Sequence, residues 1–196
     1  MVIMAFVDEW VFHARPRPGL QMEKQMSEEF LEIAAEAIAD NPFRLFDKDW
    51  TLITAGTPDK FNTMTASWGG MGVLWQKNVA NVYVRPQRYT YEFLEREDYF
   101  TLCFFEEKYR LALNLFGAAS GRDLDKVKAS GLTPVVDASG AVYYSEARLV
   151  LILKKIYFQD LDPARVRNID LADIYAAGEA YHRLYLGEIV KVLRKA

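Results

Sequence analysis

The chain has 196 residues, 51% hydrophobic and 26% charged, a composition that excludes extended disorder and suits one large domain. A net charge of −3 and a pI of about 5.5 argue against a dedicated nucleic-acid binder, which needs a basic face, yet leave room for one basic pocket. One cysteine, Cys103, excludes an intrachain disulfide, and two histidines, His13 and His182, exclude a zinc site of several imidazoles, so no metal is expected.

The first ten residues carry Asp8 and Glu9 without a basic cluster, so no signal peptide is read there. Arg15-Pro16-Arg17-Pro18-Gly19 reads as an irregular arm. Ser27 is placed as an N-cap, with Glu28 and Glu29 at the positive end of a helix. Phe30, Ile33, Ala34, Ala37 and Ile38 follow at helical spacing, and Asp40-Asn41-Pro42 ends the run. Arm and helix, residues 1–41, are thus expected to precede a main domain over 42–196.

From there the texture is that of strands. Residues 50–56 and 61–67 form β-like runs joined by the turn sequence Thr57-Pro58-Asp59-Lys60. Further strands are expected over 79–84 and 99–105, with a short helix over 91–96 capped by Thr90. Helices over 111–116 and 123–129 come next, then closing strands over 146–157 and 181–192. The apolar run from Leu149 to Leu153 stops at Lys154-Lys155, far short of a bilayer span. Aromatic residues make up 14%, which favours strands and flat binding surfaces. The pattern predicts an antiparallel barrel decorated by helices rather than a βαβ sheet, in a cytoplasmic protein with no membrane or nucleic-acid partner.

No nucleotide fingerprint, phosphate loop or hydrolase elbow occurs; Gly69-Gly70-Met71-Gly72 has the wrong spacing and reads as a loop between Trp68 and Trp75. Four features carry chemistry, each with two readings. Asn62-Thr63-Met64-Thr65-Ala66-Ser67-Trp68 puts small polar side chains on a strand whose backbone can face a flat ligand edge, as a flavin ring requires; a strand with a threonine-rich solvent face is the plainer reading. Arg85-Pro86-Gln87-Arg88-Tyr89-Thr90 offers two guanidiniums and a hydroxyl at a helix start, suited to a phosphate, or serves as an ordinary strand-to-helix turn. Ser120-Gly121-Arg122-Asp123-Leu124-Asp125-Lys126 is either a solvated helix start or a loop whose lysine reaches an anion. His182, between Tyr181 and Arg183, is a proton donor or a structural imidazole, and Cys103 a small buried apolar residue.

These three motifs, in this order, resemble the flavin reductase-like, FMN-binding split-barrel family, and within it flavoredoxin-type proteins, over about residues 42–193. The resemblance implies a six-stranded antiparallel split barrel with flanking helices, forming a homodimer with FMN near the interface. It implies that Asn62, Thr63, Met64, Thr65, Ala66, Ser67 and Trp68 hold the ring system and ribityl chain. Arg85, Arg88 and Thr90 would approach the phosphate with Ser120, Arg122 and Lys126; Tyr89 and Gly121 belong to the same cofactor-binding set. His182 would lie by the reactive face. The N-terminal helix lies outside the resemblance. The implied function is an oxidoreductase passing electrons from NADH, NADPH or a redox protein through FMN to an acceptor; a non-catalytic FMN-binding electron carrier is the alternative.

Overall fold

The computed structural model describes residues 30–176 and 178–196, so the arm and the cap at Ser27, Glu28 and Glu29 lie outside the described residues. Where the description begins, the expected helix is replaced. Phe30–Ile33 is a strand, β1, paired antiparallel with the end of the last strand from Phe30↔Lys195 to Ile33↔Val192, and only Ala35–Ala37 makes a helical turn. The reason is tertiary. An open ladder of N–H and C=O groups at the end of a long strand is a strong template for pairing, and the alternation Phe30 in, Leu31 out serves it as well as a helix would. Phe30 buries against Tyr143, ring edge to face at 5.8 Å.

The hairpin read from the sequence is present as β2 (Thr51–Thr57) and β3 (Lys60–Ala66). Gly69-Gly70-Met71-Gly72 is not a loop but part of β4 (Gly69–Leu74), paired with β5 (Lys77–Val84). The hairpin between them turns on Trp75 and Gln76, with φ of 50° and 59°; this is primed-turn geometry reached without the usual Asn-Gly signal, so no local pattern marks the strand. Gly69 is required by packing: a Cβ there would lie 2.4 Å from the Phe46 ring.

Helix α1 (Tyr89–Arg96) leads to β6 (Tyr99–Phe104), then α2 (Arg110–Ala118) and α3 (Lys126–Ser130). A small ribbon, β7 (Pro134–Val136) with β8 (Val142–Tyr144), precedes the long strands β9 (Leu149–Asp160) and β10 (Arg183–Lys195). The main sheet runs β3-β2-β6-β9-β10-β5-β4, all antiparallel, with β1 beside β10 beyond the end of β5. Six contiguous strands, β3 to β5 along this path, make the split barrel, and β4 and β1 extend it. The sheet does not close: β3 and β4, its two ends, are joined only through Ser67 and Trp68.

The apolar run of β9 is explained by burial on both faces. Leu149, Leu151 and Leu153 enter the barrel interior with Ile53, Phe100, Phe104 and Val82. Val150 and Ile152 face an outer core of Leu113, Phe116 and Tyr144 beneath α2 and the ribbon. Helix α2 therefore lies across the outside of β3, and this is what places a helix beside the motif strand.

Candidate functional site

The end of β3, the turn after β5 and the exposed side of α2 enclose a cleft of about 610 Å³. Met64, Thr65, Ala66 and Ser67 form its floor, Arg85 and Arg88 one rim, Asn114 and Gly117 of α2 the facing wall, and His182 the far end. A second volume of about 210 Å³ adjoins it behind Arg88, bordered by Tyr89, Thr90, Ser120, Gly121 and Lys126. Met64, Gln87, Arg88 and Ala118 border both, so Arg88 stands where the two meet.

The side chains of the Asn62–Trp68 motif divide between two faces, as strand alternation demands. Thr63 turns away into the outer core, its hydroxyl bonded to Thr54 at 2.9 Å and to Tyr144 at 2.7 Å. Thr65 donates to the Leu113 carbonyl, tying α2 to β3. Trp68 is exposed at the edge and packs on His182 with ring centres 4.8 Å apart. Trp75 is at the hairpin tip against Tyr157 and does not border the cleft.

Helix α1 starts two residues earlier than read, and Thr90 is not its N-cap. The N-cap is Arg88, whose side chain makes no capping bond. Thr90 is fully buried, and Asn62 supplies the cap from another element: with its amide oxygen toward the helix, it accepts from the Thr90 hydroxyl at 2.7 Å and the Thr90 N–H at 3.2 Å. Gly121 allows this, since a Cβ there would lie 2.0 Å from the end of the Asn62 amide. Helix α3 is shorter than expected because Asp125, not an earlier residue, is its cap, accepting from the Lys128 N–H at 3.0 Å.

Three cations converge here with little to neutralise them. Lys126 is 5% exposed, and its ammonium donates to the carbonyls of Thr63, Phe116 and Ala119 at 2.6, 3.3 and 3.2 Å. Burial, then the nearby Arg88 charge, draw it down to about 8, so it remains charged at neutral pH. Arg88 is half-buried, donates to the Gly117 carbonyl at 2.8 Å, and is lowered by burial and by the Arg85 charge. Neither Arg88 nor Lys126 has a carboxylate partner among the described residues. Arg85 has one, Glu179, at 2.8 Å. Arg122 is held elsewhere, paired with Glu92 and lying over the Tyr89 ring at 4.5 Å; it borders a further recess with Asp123 and Asp125, one that shares Asn62, Gly121 and Lys126 with the smaller volume. Ser120 accepts from the Arg122 N–H at 3.2 Å.

The chain matches the family model described as flavin reductase like domain over residues 43–195. It belongs to the flavin reductase-like family. Solved structures share the fold of this flavin reductase-like domain. An FMN-binding protein from Thermus thermophilus with bound p-hydroxybenzaldehyde superposes at a TM-score of 0.61, 17% identical, over 83% of this chain and 81% of that one. The flavoredoxin of Desulfovibrio vulgaris (Miyazaki F) gives 0.58 at 24% identity, over 83% and 75%. An NADH:FAD oxidoreductase of Streptomyces globisporus C-1027 gives 0.56 at 18%, over 74% of each chain. No curated protein matches the chain. Among the described residues of the flavin reductase-like domain, no group of His, Cys, Asp and Glu is placed to hold a metal ion, and no helix is long and apolar enough to cross a membrane.

The motifs missed several residues of the site. Asn114 and Gly117 enter it only because α2 crosses β3, and no local pattern marks them. Trp50 also borders the cleft, with φ of 64° and ψ of 163°, a backbone conformation costly for any residue with a Cβ. Arg110 holds it there, its guanidinium 4.4 Å from the indole centre while it donates to the Lys48 and Asp49 carbonyls. Tyr175 and Glu179, from the strap between β9 and β10, reach His182 and Arg85.

Proposed function

We propose that this domain binds FMN in the cleft and works as an oxidoreductase, passing electrons from NADH, NADPH or a redox protein to an acceptor. The observation that carries the reading is the pair Arg88 and Lys126: a half-buried and a buried cation without a carboxylate partner among the described residues, where the cleft of about 610 Å³ meets the smaller volume of about 210 Å³. A buried charge left without an opposite charge is costly, so an anionic ligand group is the natural complement. Lys126 has its three donors on carbonyls and acts through its field, whereas Arg88 retains donors for direct bonds. The adjoining volume of about 210 Å³ accommodates one phosphate better than an adenylate, which favours FMN over FAD. Bound flavin supplies the redox chemistry, which no protein side chain here provides. The chain's own part is to seat the phosphate at Arg88, meet the ring edge with the β3 backbone at residues 64–67, and present His182.

Exposed apolar side chains on and near the β4 edge, Val73 at 74% and Trp75 at 62%, support the homodimer. Titration of apoprotein with FMN, FAD and riboflavin tests the cofactor: FMN is expected to bind most tightly, and equal affinity for riboflavin removes the phosphate site. Anaerobic titration with NADH and NADPH then separates enzyme from carrier, because only the enzyme bleaches the flavin bands. Light scattering reads the dimer.

A further inference from the structure

The strap between β9 and β10 is fastened to the rim by three contacts around one tyrosine. Arg85 donates to Glu179 at 2.8 Å and to the Ile174 carbonyl at 3.1 Å, and its guanidinium lies 5.1 Å from the Tyr175 ring centre. Tyr175 is 8% exposed, packs on Tyr181 at 4.6 Å, and places its hydroxyl 2.7 Å from Nδ1 of His182. The imidazole is confined by this ring, by Trp68 and by its own backbone, whose carbonyl accepts from Leu161 at 2.9 Å.

Hydrogen-bond accounting decides which partner donates. The Tyr175 hydroxyl has no other acceptor among the described residues, so if Nδ1 were protonated and donated to it, the phenolic hydrogen would be stranded in a buried site. A phenol is also the better acid and an imidazole nitrogen the better base, so O–H···N is the stronger arrangement, and a guanidinium over the ring strengthens the phenol as donor. Nε2 has no partner among the described residues, and no buried side-chain nitrogen or oxygen of those residues lacks one, so Nε2 reaches solvent through the cleft that His182 borders.

We propose that Tyr175 is a positioning residue that holds His182 as its Nε2–H tautomer, so that the cleft is offered a fixed neutral hydrogen-bond donor at its far end. The ligand group this recognises is an acceptor on a planar heteroaromatic ring, a carbonyl oxygen or an unprotonated ring nitrogen. The role in turnover rests on the reading of the cleft as a flavin site; the tautomer does not.

With only His13 and His182 in the chain, ¹⁵N-histidine labelling gives two sets of ring signals, told apart by His13→Gln. Wild-type apoprotein at pH 7 is expected to show His182 with Nδ1 bare and Nε2 protonated; an Nδ1–H tautomer or an imidazolium overturns the proposal with no need of flavin or of any strap variant. Tyr175→Phe, which keeps the ring, is expected to give mixed tautomers and lower kcat for NADH or NADPH oxidation about tenfold, the scale of one lost hydrogen bond, with the FMN Kd within about twofold. Unchanged tautomer or unchanged kcat in Tyr175→Phe overturns the positioning role. The expected tautomer in a protein that binds no flavin overturns the functional reading and leaves Tyr175 as the residue that sets His182.

Discussion

Asn62 caps a helix that begins far along the chain from it: its amide meets Thr90, 28 residues away, at the N-terminus of α1. The bond joins the motif strand to the helix that follows Arg85 and Arg88, so the two sequence motifs are physically one unit. Gly121, from the third motif, packs on the same amide.

Gly121→Ala is therefore expected to act at a distance. The added Cβ has no room beside Asn62, whose amide must swing off the helix, and the loss of a cap costs about 1 kcal/mol or somewhat more. Urea denaturation should register that loss, and hydrogen exchange at the Thr90 amide should quicken; unchanged exchange would mean the cap survives.

Lys126→Met keeps the length and removes the ammonium. Three carbonyls, of Thr63, Phe116 and Ala119, lose their donor together, and removal of a charge that burial disfavours offsets part of that loss, so the fold should weaken by about 2 kcal/mol. Equilibrium unfolding checks it, and a loss under about 1 kcal/mol would show that water satisfies the carbonyls instead.

Among the arginines the ordering matters more than the size. Arg88→Ala should cost about 2 kcal/mol in FMN affinity, roughly thirty-fold, because a charge-assisted bond is lost. Arg85→Ala should cost less, since Glu179 already neutralises that guanidinium. Riboflavin affinity should respond to neither, and apoprotein titrations with both ligands read all three outcomes. The reverse order would place the phosphate at Arg85.

His182 sets a pH limb of stability. Burial first, then the Arg85 charge, push its imidazole down to about 4, against a weak upward pull from Glu179. The unfolded chain takes up a proton near pH 6.5 that the folded one refuses until about 4. The stabilisation is thus complete above pH 6.5 and lost as pH falls through that window. Urea midpoints of wild type should drop more steeply between pH 6.5 and 4 than those of His182→Asn; parallel curves would contradict the buried neutral imidazole.

Residues adjacent along the chain encode the local elements. Alternation with a Thr57-Pro58-Asp59-Lys60 turn specifies the β2–β3 hairpin, and five consecutive apolar residues specify a strand covered on both faces. The order of the three motifs alone carries the resemblance to the family whose model the chain matches over residues 43–195. Other features are set by partners distant in sequence. Phe30–Ile33 became a strand because β10 outruns β5 and leaves an edge to fill, a reason that helical spacing cannot contain. Lys126 turned inward, rather than onto a solvated helix face, because three carbonyls from β3, α2 and the loop after it meet at one point. The cap of α1, the neutral state of His182 and its Tyr175 partner are of the same kind. Local preference costs or contributes a few tenths of a kcal/mol per residue, whereas an unfilled strand edge or a stranded buried donor costs more than that, so the distant partner wins.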